Sequence, residues 1–443
     1  MKKHTPILTG LATALFLAPS LVSCSNGGGG GGGSISVSAE EFDSSVAGTW
    51  FDLIYKAVRD ERLSPPVAAR AYGYEAIALY EAVVPGIDGG LSLGGQLNGL
   101  GALPETDPEL EYDWPTVANS ALATVGRTLF AANTAGTIAK IDALEQSFLA
   151  ERGFAVPDDV VERSMTHGVA IGTAILDWAA ADGYSVHNNC TFTPPMGPGL
   201  WVPTPPAFAP PLQPCWGEIR PFVLAAGDEF EPAPPPAYSE DPASAFYAEG
   251  LEVHTVTSAL TAEQITIANF WADGPGVTGT PPGHWIRIVT NLLSEERHTL
   301  DVAAEAYARV GLAVHDAFVS CWACKYVFNL LRPITYIQTV IDAAWMPLLP
   351  TPNFPEYTSG HSTQSGAAAT VLTDLFGAIP FTDTAHVDRG FAPRSFANFD
   401  EAAQEAAISR LYGGIHYRAA IEIGVDQGRE IGEAILSRVR FKD

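Results

Sequence analysis

Basic residues are scarce in this chain. Lys and Arg number 24 against 50 Asp and Glu, a formal net charge of -26. Such a surface repels polyanions and argues against a general nucleic-acid binder. Any anion the protein handles must be held by a few local cations against that field. Alternating strand patterns are equally rare, and no repeat of fixed period is present. His254, His284, His298, His315 and His386 form no HExxH or similar spacing, which argues against zinc hydrolysis. No haem or flavin motif is visible. What the chain does have is bulk: 443 residues, 47% hydrophobic and 10% aromatic. That is enough for one large helical domain or two modest ones, and too apolar for general disorder.

The first residues speak to the compartment. Met1-Lys2-Lys3-His4 is a short basic stretch, and Ile7 to Val22 is an apolar run broken by Gly10 and Pro19. The run is too short and interrupted for a comfortable membrane span and reads as a secretory leader. No other segment reads as transmembrane. Leu21-Val22-Ser23-Cys24 resembles a bacterial lipobox, in which the Cys is lipidated and becomes the mature N-terminus; an ordinary leader with an incidental Cys is the alternative. Residues 1–23 are therefore read as a lipoprotein signal peptide and 24–40 as an anchor at Cys24 with a flexible tether, Gly27 to Gly33. The expected location is the bacterial cell envelope. Four other cysteines allow three pairings. Cys190 and Cys215 flank a Pro-rich stretch and can staple it in an oxidising compartment. Cys321 and Cys324 have CxxC spacing but lie inside a helical pattern, which favours a buried or locally paired couple.

Apolar residues recur at helical spacing almost throughout. Helices are expected over 42–59, 66–84, 115–133, 136–152, 158–182, 243–258, 261–272, 284–297, 299–331, 362–376, 400–412 and 416–438. Pro194 to Pro236 holds 14 of the 34 prolines, so it is expected as a long ordered extended arm. The reading is one all-α domain over 41–443, a large helical bundle with an N-terminal layer (41–240) and an active-site bundle (241–443).

Three segments in the last third share a chemical theme. In the first, Lys325 and Arg332 lie seven residues apart, almost two helical turns, and can grip one anion from the same face. Pro333 is expected to end that helix and leave Arg332 in its final turn. Apolar neighbours bury both cations, and a buried cation needs an anion. In the second, Ser359, Gly360 and His361 precede an Ala-rich run, so free N–H groups and the positive end of a helix dipole are available to an oxyanion. His361 adds an acid–base group, although an N-cap Ser beside a surface His would look the same. In the third, Arg410 and His416 are six residues apart and face differently on an unbroken helix; Gly413-Gly414 lets the chain bend and aim both at one point. A helix corner with a core His is the bland alternative.

Together K-x6-R-P, S-G-H and S-R-x3-G-x-H, in this order, resemble the type 2 phosphatidic acid phosphatase superfamily, which includes the vanadium-dependent haloperoxidases. Phe270 to Pro275, Thr280 to Trp285 and Pro65 to Arg70 resemble segments of large bacterial haloperoxidases, so the likeness spans most of the chain unevenly.

The resemblance implies vanadate as cofactor and hydrogen peroxide and halide as substrates, with hypohalous acid or an equivalent as product. It implies that Lys325, Arg332 and Arg410 neutralise the vanadate oxygens while Ser359 and Gly360 complete the cradle. His416 would ligate vanadium and His361 would act as acid–base. Trp322 and Phe354 match positions lining the pocket, and Asp273 would reach an active-site Arg as an outer carboxylate. His284 is the one other histidine expected near the site. One departure stands out: Ala420 occupies the place where many members carry an Asp that holds the last His, so a backbone carbonyl or a carboxylate from elsewhere must orient His416. The rival readings are an exported acid phosphatase, with His416 attacking phosphorus, and a non-catalytic envelope anion binder. Chain length, Trp322 and Phe354 count against the first, and the presence of all three cations against the second. Iodide is the expected halide.

Overall fold

Helix α10, Leu300–Phe328, is buried on almost every side and is the axis on which the rest is assembled. Its 29 residues make it about 43 Å long. The structure, a computed structural model, describes residues 37–131 and 135–443. The leader, Cys24 and the glycine run lie outside the described residues. Ahead of α10 come α1 (Ser45–Asp60), α2 (Pro65–Val83), α3 (Trp114–Leu129), α4 (Ala135–Arg152), α5 (Asp158–Ala180), α6 (Tyr184–His187), α7 (Ala245–Thr257), α8 (Ala262–Phe270) and α9 (Thr280–Glu295). After it come α11 (Pro333–Val340), α12 (Gly360–Phe376), α13 (Phe399–Tyr412) and α14 (Arg418–Arg438).

The helical spacing read from the sequence places nearly all of these. On α1, Val46, Trp50, Phe51, Ile54 and Val58 repeat at intervals of three and four, and all are buried. Thr261 and Gln264 form a reciprocal capping box that starts α8. Two differences matter. The stretch expected as one helix over 299–331 stops at Phe328, because Asn329 turns left-handed (φ 46°). Pro333 begins a new helix, α11, rather than ending the old one. In addition, β1 (Phe381–Asp383) and β2 (Arg394–Phe396) pair antiparallel, a small exception to the all-α architecture. The folded unit also begins before residue 41: Ala39 is fully buried, and Trp114 Nε1 donates to the Val37 carbonyl at 2.7 Å.

Helices α12 and α14 approach backbone to backbone. Gly424, Gly428 and Gly432 recur every fourth residue on the facing stripe of α14, opposite Gly366 on α12. A Cβ on Gly428 would lie 2.0 Å from the Thr363 carbonyl oxygen, so only glycine fits there. This contact fixes where α12 begins. The Pro-rich arm is extended only in part, because turns and a short 3-10 helix (Trp216–Glu218) interrupt it, and contacts at several places hold it. Cys190 and Cys215 form a disulfide across its first part. Trp201 N–H donates to the Asn329 carbonyl and Leu331 N–H to the Gly199 carbonyl. The buried Asp316 carboxylate accepts from the N–H groups of Phe222, Val223 and Leu224 at 2.7–3.0 Å. Cys321 and Cys324 are free and buried on α10. Among the described residues no helix is long and apolar enough to cross a membrane.

Candidate active site

The C-terminal end of α10, the loop 354–358, the start of α12 and the α13–α14 junction meet at one cavity of about 410 Å³. Phe318, Trp322, Phe354, Gly360, His361, Arg410 and His416 line it. Lys325, Arg332 and Ser359 are fully buried and do not line it themselves.

Lys325 is committed to the loop. Its Nζ donates to the carbonyls of Pro355 (3.1 Å), Glu356 (2.9 Å) and Thr358. Three carbonyls use all three ammonium donors, so this cation acts on the pocket through its charge. Burial lowers its pKa to about 8.

Arg332 caps α11 in extended conformation (φ -77°, ψ 153°), so it does not stand in the final turn of α10 as expected. The left-handed turn at Asn329 swings it round, and the two cations converge from two elements instead of from one helical face. Its Nε donates to the Phe354 carbonyl at 2.8 Å. Its Nη1 reaches the Ile415 carbonyl at 2.9 Å and His416 Nε2 at 3.1 Å. Its Nη2 is buried and has no partner. Leaving a charged donor unpaired in the interior is costly unless an anion completes it.

Arg410 ends α13, where Gly413-Gly414 bend the chain as anticipated; Gly414 has φ +75°. Arg410 Nε donates to Ser409 Oγ at 2.9 Å and Nη2 to the Ala268 carbonyl at 3.1 Å. Burial lowers both guanidiniums to about 10, which still leaves them charged at neutral pH.

Ser359 is the N-cap of α12, its Oγ accepting from Ser362 N–H at 3.4 Å. His361 sits in the first turn, and its Nε2 lies 2.9 Å from the Trp271 carbonyl. A carbonyl only accepts, so Nε2 carries the proton and Nδ1 keeps the lone pair. Burial, reinforced by Arg410, holds this imidazole well below its ordinary pKa.

His416 precedes α14. The carboxylate expected from elsewhere is Glu356: its Oε1 lies 2.7 Å from His416 Nδ1 and accepts from Tyr417 N–H at 2.9 Å. Nδ1 thus carries the proton and Nε2 keeps its lone pair, which accepts from Arg332 Nη1 at 3.1 Å. Burial, with Arg332 and Lys325 adding to it, holds His416 well below its usual range. Burial raises Glu356 to about 7 against the opposing pull of Arg332 and Lys325. Glu356 lay within the segment read from sequence but was not singled out. A carboxylate inside an apolar loop three residues before the helix cap was the available signal.

Phe354 lies beneath both inner cations, 4.8 Å from the Arg332 guanidinium carbon and 5.1 Å from Lys325 Nζ, and 4.9 Å from the Trp322 ring. Asp273 does not take the place expected of it. Its carboxylate is turned to His284 (2.8 Å) and His386 (3.0 Å), and it acts on Arg410 only through its field. The two histidines are nearer partners and neutralise it first. His284 is buried beside the pocket as anticipated, whereas His386 and Asp383 carried no signal in the sequence.

An oxyanion fits this site. Lys325, Arg332 and Arg410 are buried around it, Glu356 is bonded to His416, Asp273 lines the cavity but is paired with two histidines, Arg332 Nη2 lacks an acceptor, and His416 Nε2 carries no proton. In a chain of net charge -26, that pocket is locally cationic.

Residues 305–442, which carry the cation and histidine positions just described, match the family described as the VCPO second helical-bundle domain. A vanadium chloroperoxidase of Curvularia inaequalis is 24% identical over 211 residues, 34% of this chain and 35% of that protein. The match thus spans about a third of the length of that curated relative. A bacterial vanadium-dependent iodoperoxidase of known structure is 39% identical, covering 91% of this chain and 98% of that one, with a TM-score of 0.85. A bacterial vanadium-dependent chloroperoxidase in its holo form shares the fold, with a TM-score of 0.66 at 14% identity, covering 86% of this chain and 93% of that one. At 39% identity over nearly the whole length of the iodoperoxidase, the chain belongs to the vanadium-dependent haloperoxidase family.

Proposed function

We propose that this protein oxidises halide, iodide by preference, with hydrogen peroxide at a vanadate held in the pocket. The observation that carries the reading is the buried cation set around His416, with Arg332 Nη2 unpartnered. Lys325, Arg332 and Arg410 would balance the anion's charge, Ser359 and Gly360 would offer a hydroxyl and a helix-start N–H, and His416 Nε2, released by Arg332 Nη1, would hold the metal. Bound there, vanadate supplies a Lewis acid that makes peroxide electrophilic toward halide. Glu356 keeps the proton of His416 on Nδ1. His361 Nδ1 accepts a proton from incoming peroxide, while the Trp271 carbonyl holds the ring in place. Trp322 and Phe354 exclude water from the anion's surroundings. The preference for iodide rests on the 39% identical iodoperoxidase and on iodide being the easiest of the common halides to oxidise.

Triiodide formation by chelator-treated protein, with and without orthovanadate, tests the assignment. Activity that survives complete vanadium removal would sink it. Rates with iodide, bromide and chloride at matched peroxide test the preference, and comparable catalytic efficiency for bromide would withdraw it.

Glu356 also bears on the phosphatase reading, because a nucleophilic His416 would gain the carboxylate support that Ala420 lacks. Hydrolysis of a simple phosphomonoester in the same preparation separates the two. For location, the lipobox-like Leu21-Val22-Ser23-Cys24 supports an exported, lipid-anchored protein, and the Cys190–Cys215 disulfide is in keeping with an oxidising envelope. Loss of membrane association in Cys24→Ala would bear this out; unchanged association would refute the anchor.

A further inference from the structure

Beside the pocket, four side chains from distant stretches meet in the interior. Asp273 comes from the turn after α8, His284 from the start of α9, Asp383 from the end of β1 and His386 from the turn beyond it. All are at most 2% exposed. His284 Nε2 lies 2.7 Å from Asp383 Oδ2, and its Nδ1 lies 2.8 Å from Asp273 Oδ2. His386 Nε2 is 3.0 Å from Asp273 Oδ1.

That last approach is close without being a hydrogen bond. Asp273 Oδ1 and both nitrogens of His386 are buried and have no hydrogen-bond partner. Two donor atoms that lie near each other but are not aimed at each other fit a pair facing a shared third centre. His284 adds the second sign: a carboxylate holds its far nitrogen while its near nitrogen faces the same place, the arrangement of a metal-bound histidine. One donor atom from each of Asp273, His284 and His386 lies within 4.8 Å of the other two. Three protein ligands leave a tetrahedral zinc, with bonds of about 2.0–2.1 Å, one further position, and Asp273 lines the adjoining cavity from which a water can fill it.

We propose that Asp273, His284 and His386 bind a divalent cation of the zinc type, with Asp383 orienting His284. Charge supports it. Once His284 has given up one of its two protons, two carboxylates and two neutral imidazoles amount to two negative charges, which one divalent cation cancels in a buried site. On binding, the proton shared between His284 Nδ1 and Asp273 leaves to solvent, and the cation takes its place. Phe270 packs edge-on against His386 and tilted against His284, and Trp271 stacks on His284 at 4.2 Å, so aromatic rings wall the two imidazole ligands and the ion is structural. It would tie together the segment around 271–273, α9 and the 383–386 turn. Trp271 in that segment supplies the carbonyl that holds His361.

Calorimetric titration of the chelator-stripped full chain with zinc chloride tests the proposal. One zinc per chain is expected, with a raised melting temperature. His386→Ala removes a ligand without removing a well-formed hydrogen bond and is expected to weaken zinc at least about tenfold. Asp383→Asn, which spares all three ligands, is expected to weaken it about 10- to 100-fold. His416→Ala should bind zinc as the parent does, because that histidine belongs to the oxyanion pocket. Absence of stoichiometric zinc binding would overturn the site, as would binding that neither His386→Ala nor Asp383→Asn alters. A loss confined to His416→Ala would reassign the ion to the oxyanion pocket and overturn it equally.

Discussion

Glu356 Oε1 stands 2.7 Å from His416 Nδ1, and this one contact sets which nitrogen of His416 faces the pocket. Glu356 is itself anchored by Tyr417 N–H, so the loop before α12 and the residue before α14 are held together. A family position given up at Ala420 is thereby filled from another element.

Removing the carboxylate should therefore weaken vanadate without emptying the cation set. Glu356→Gln can still accept from Nδ1–H but loses the charge, and Glu356→Ala loses both. Orthovanadate affinity, read by equilibrium titration, is expected to fall about 10- to 100-fold in the alanine variant and less in the glutamine variant. Equal affinity in all three proteins would show that Glu356 does not orient His416.

The two histidines should separate in their effects. His416→Ala is expected to lose tight vanadate binding. His361→Ala should retain most of it while turnover falls about 10²- to 10⁴-fold, because only the acid–base role is gone. Vanadium content and iodide oxidation measured on the same samples check this, and matching losses in both variants would contradict it.

Glu75 gives a stability prediction with a definite sign. It is fully buried, both carboxylate oxygens lack a partner, and burial raises its pKa well above the usual value. A carboxyl whose folded pKa exceeds the unfolded one stabilises most below the unfolded value, near 4.5, and that contribution is lost as pH rises toward the folded pKa. Glu75→Gln removes the titration. Its advantage over the parent in urea unfolding should grow with pH above about 4.5, by at most about 1.4 kcal/mol per unit. A difference independent of pH between 5 and 8 would mean that Glu75 is not held protonated.

Gly428→Ala probes the seam that positions α12. The added methyl meets the Thr363 carbonyl, and the helix must move off. A destabilisation of about 1–3 kcal/mol is expected, together with weaker vanadate binding, because Ser359 and His361 ride on the displaced helix. Wild-type stability would show that the seam has slack.

The sequence alone determined a great deal. Helical periodicity, the scarcity of alternating patterns and the Gly and Pro punctuation placed nearly every helix, because those signals are local. The order and spacing of Lys325, Arg332, Ser359, Gly360, His361, Arg410 and His416 carried the family resemblance, because each lies in a short segment with its own helix end or bend. Tertiary structure decided how the pieces are wired. Arg332 turns on Asn329, whose left-handed conformation reflects the local hydrogen bonding of the arm at 199–201 rather than any helical period. Glu356 meets His416 across 60 residues, and Asp273 leaves Arg410 for His284 and His386, which reach it from 11 and 113 residues away. Buried charges choose partners by distance and desolvation in the folded interior, and neither quantity is written along a chain.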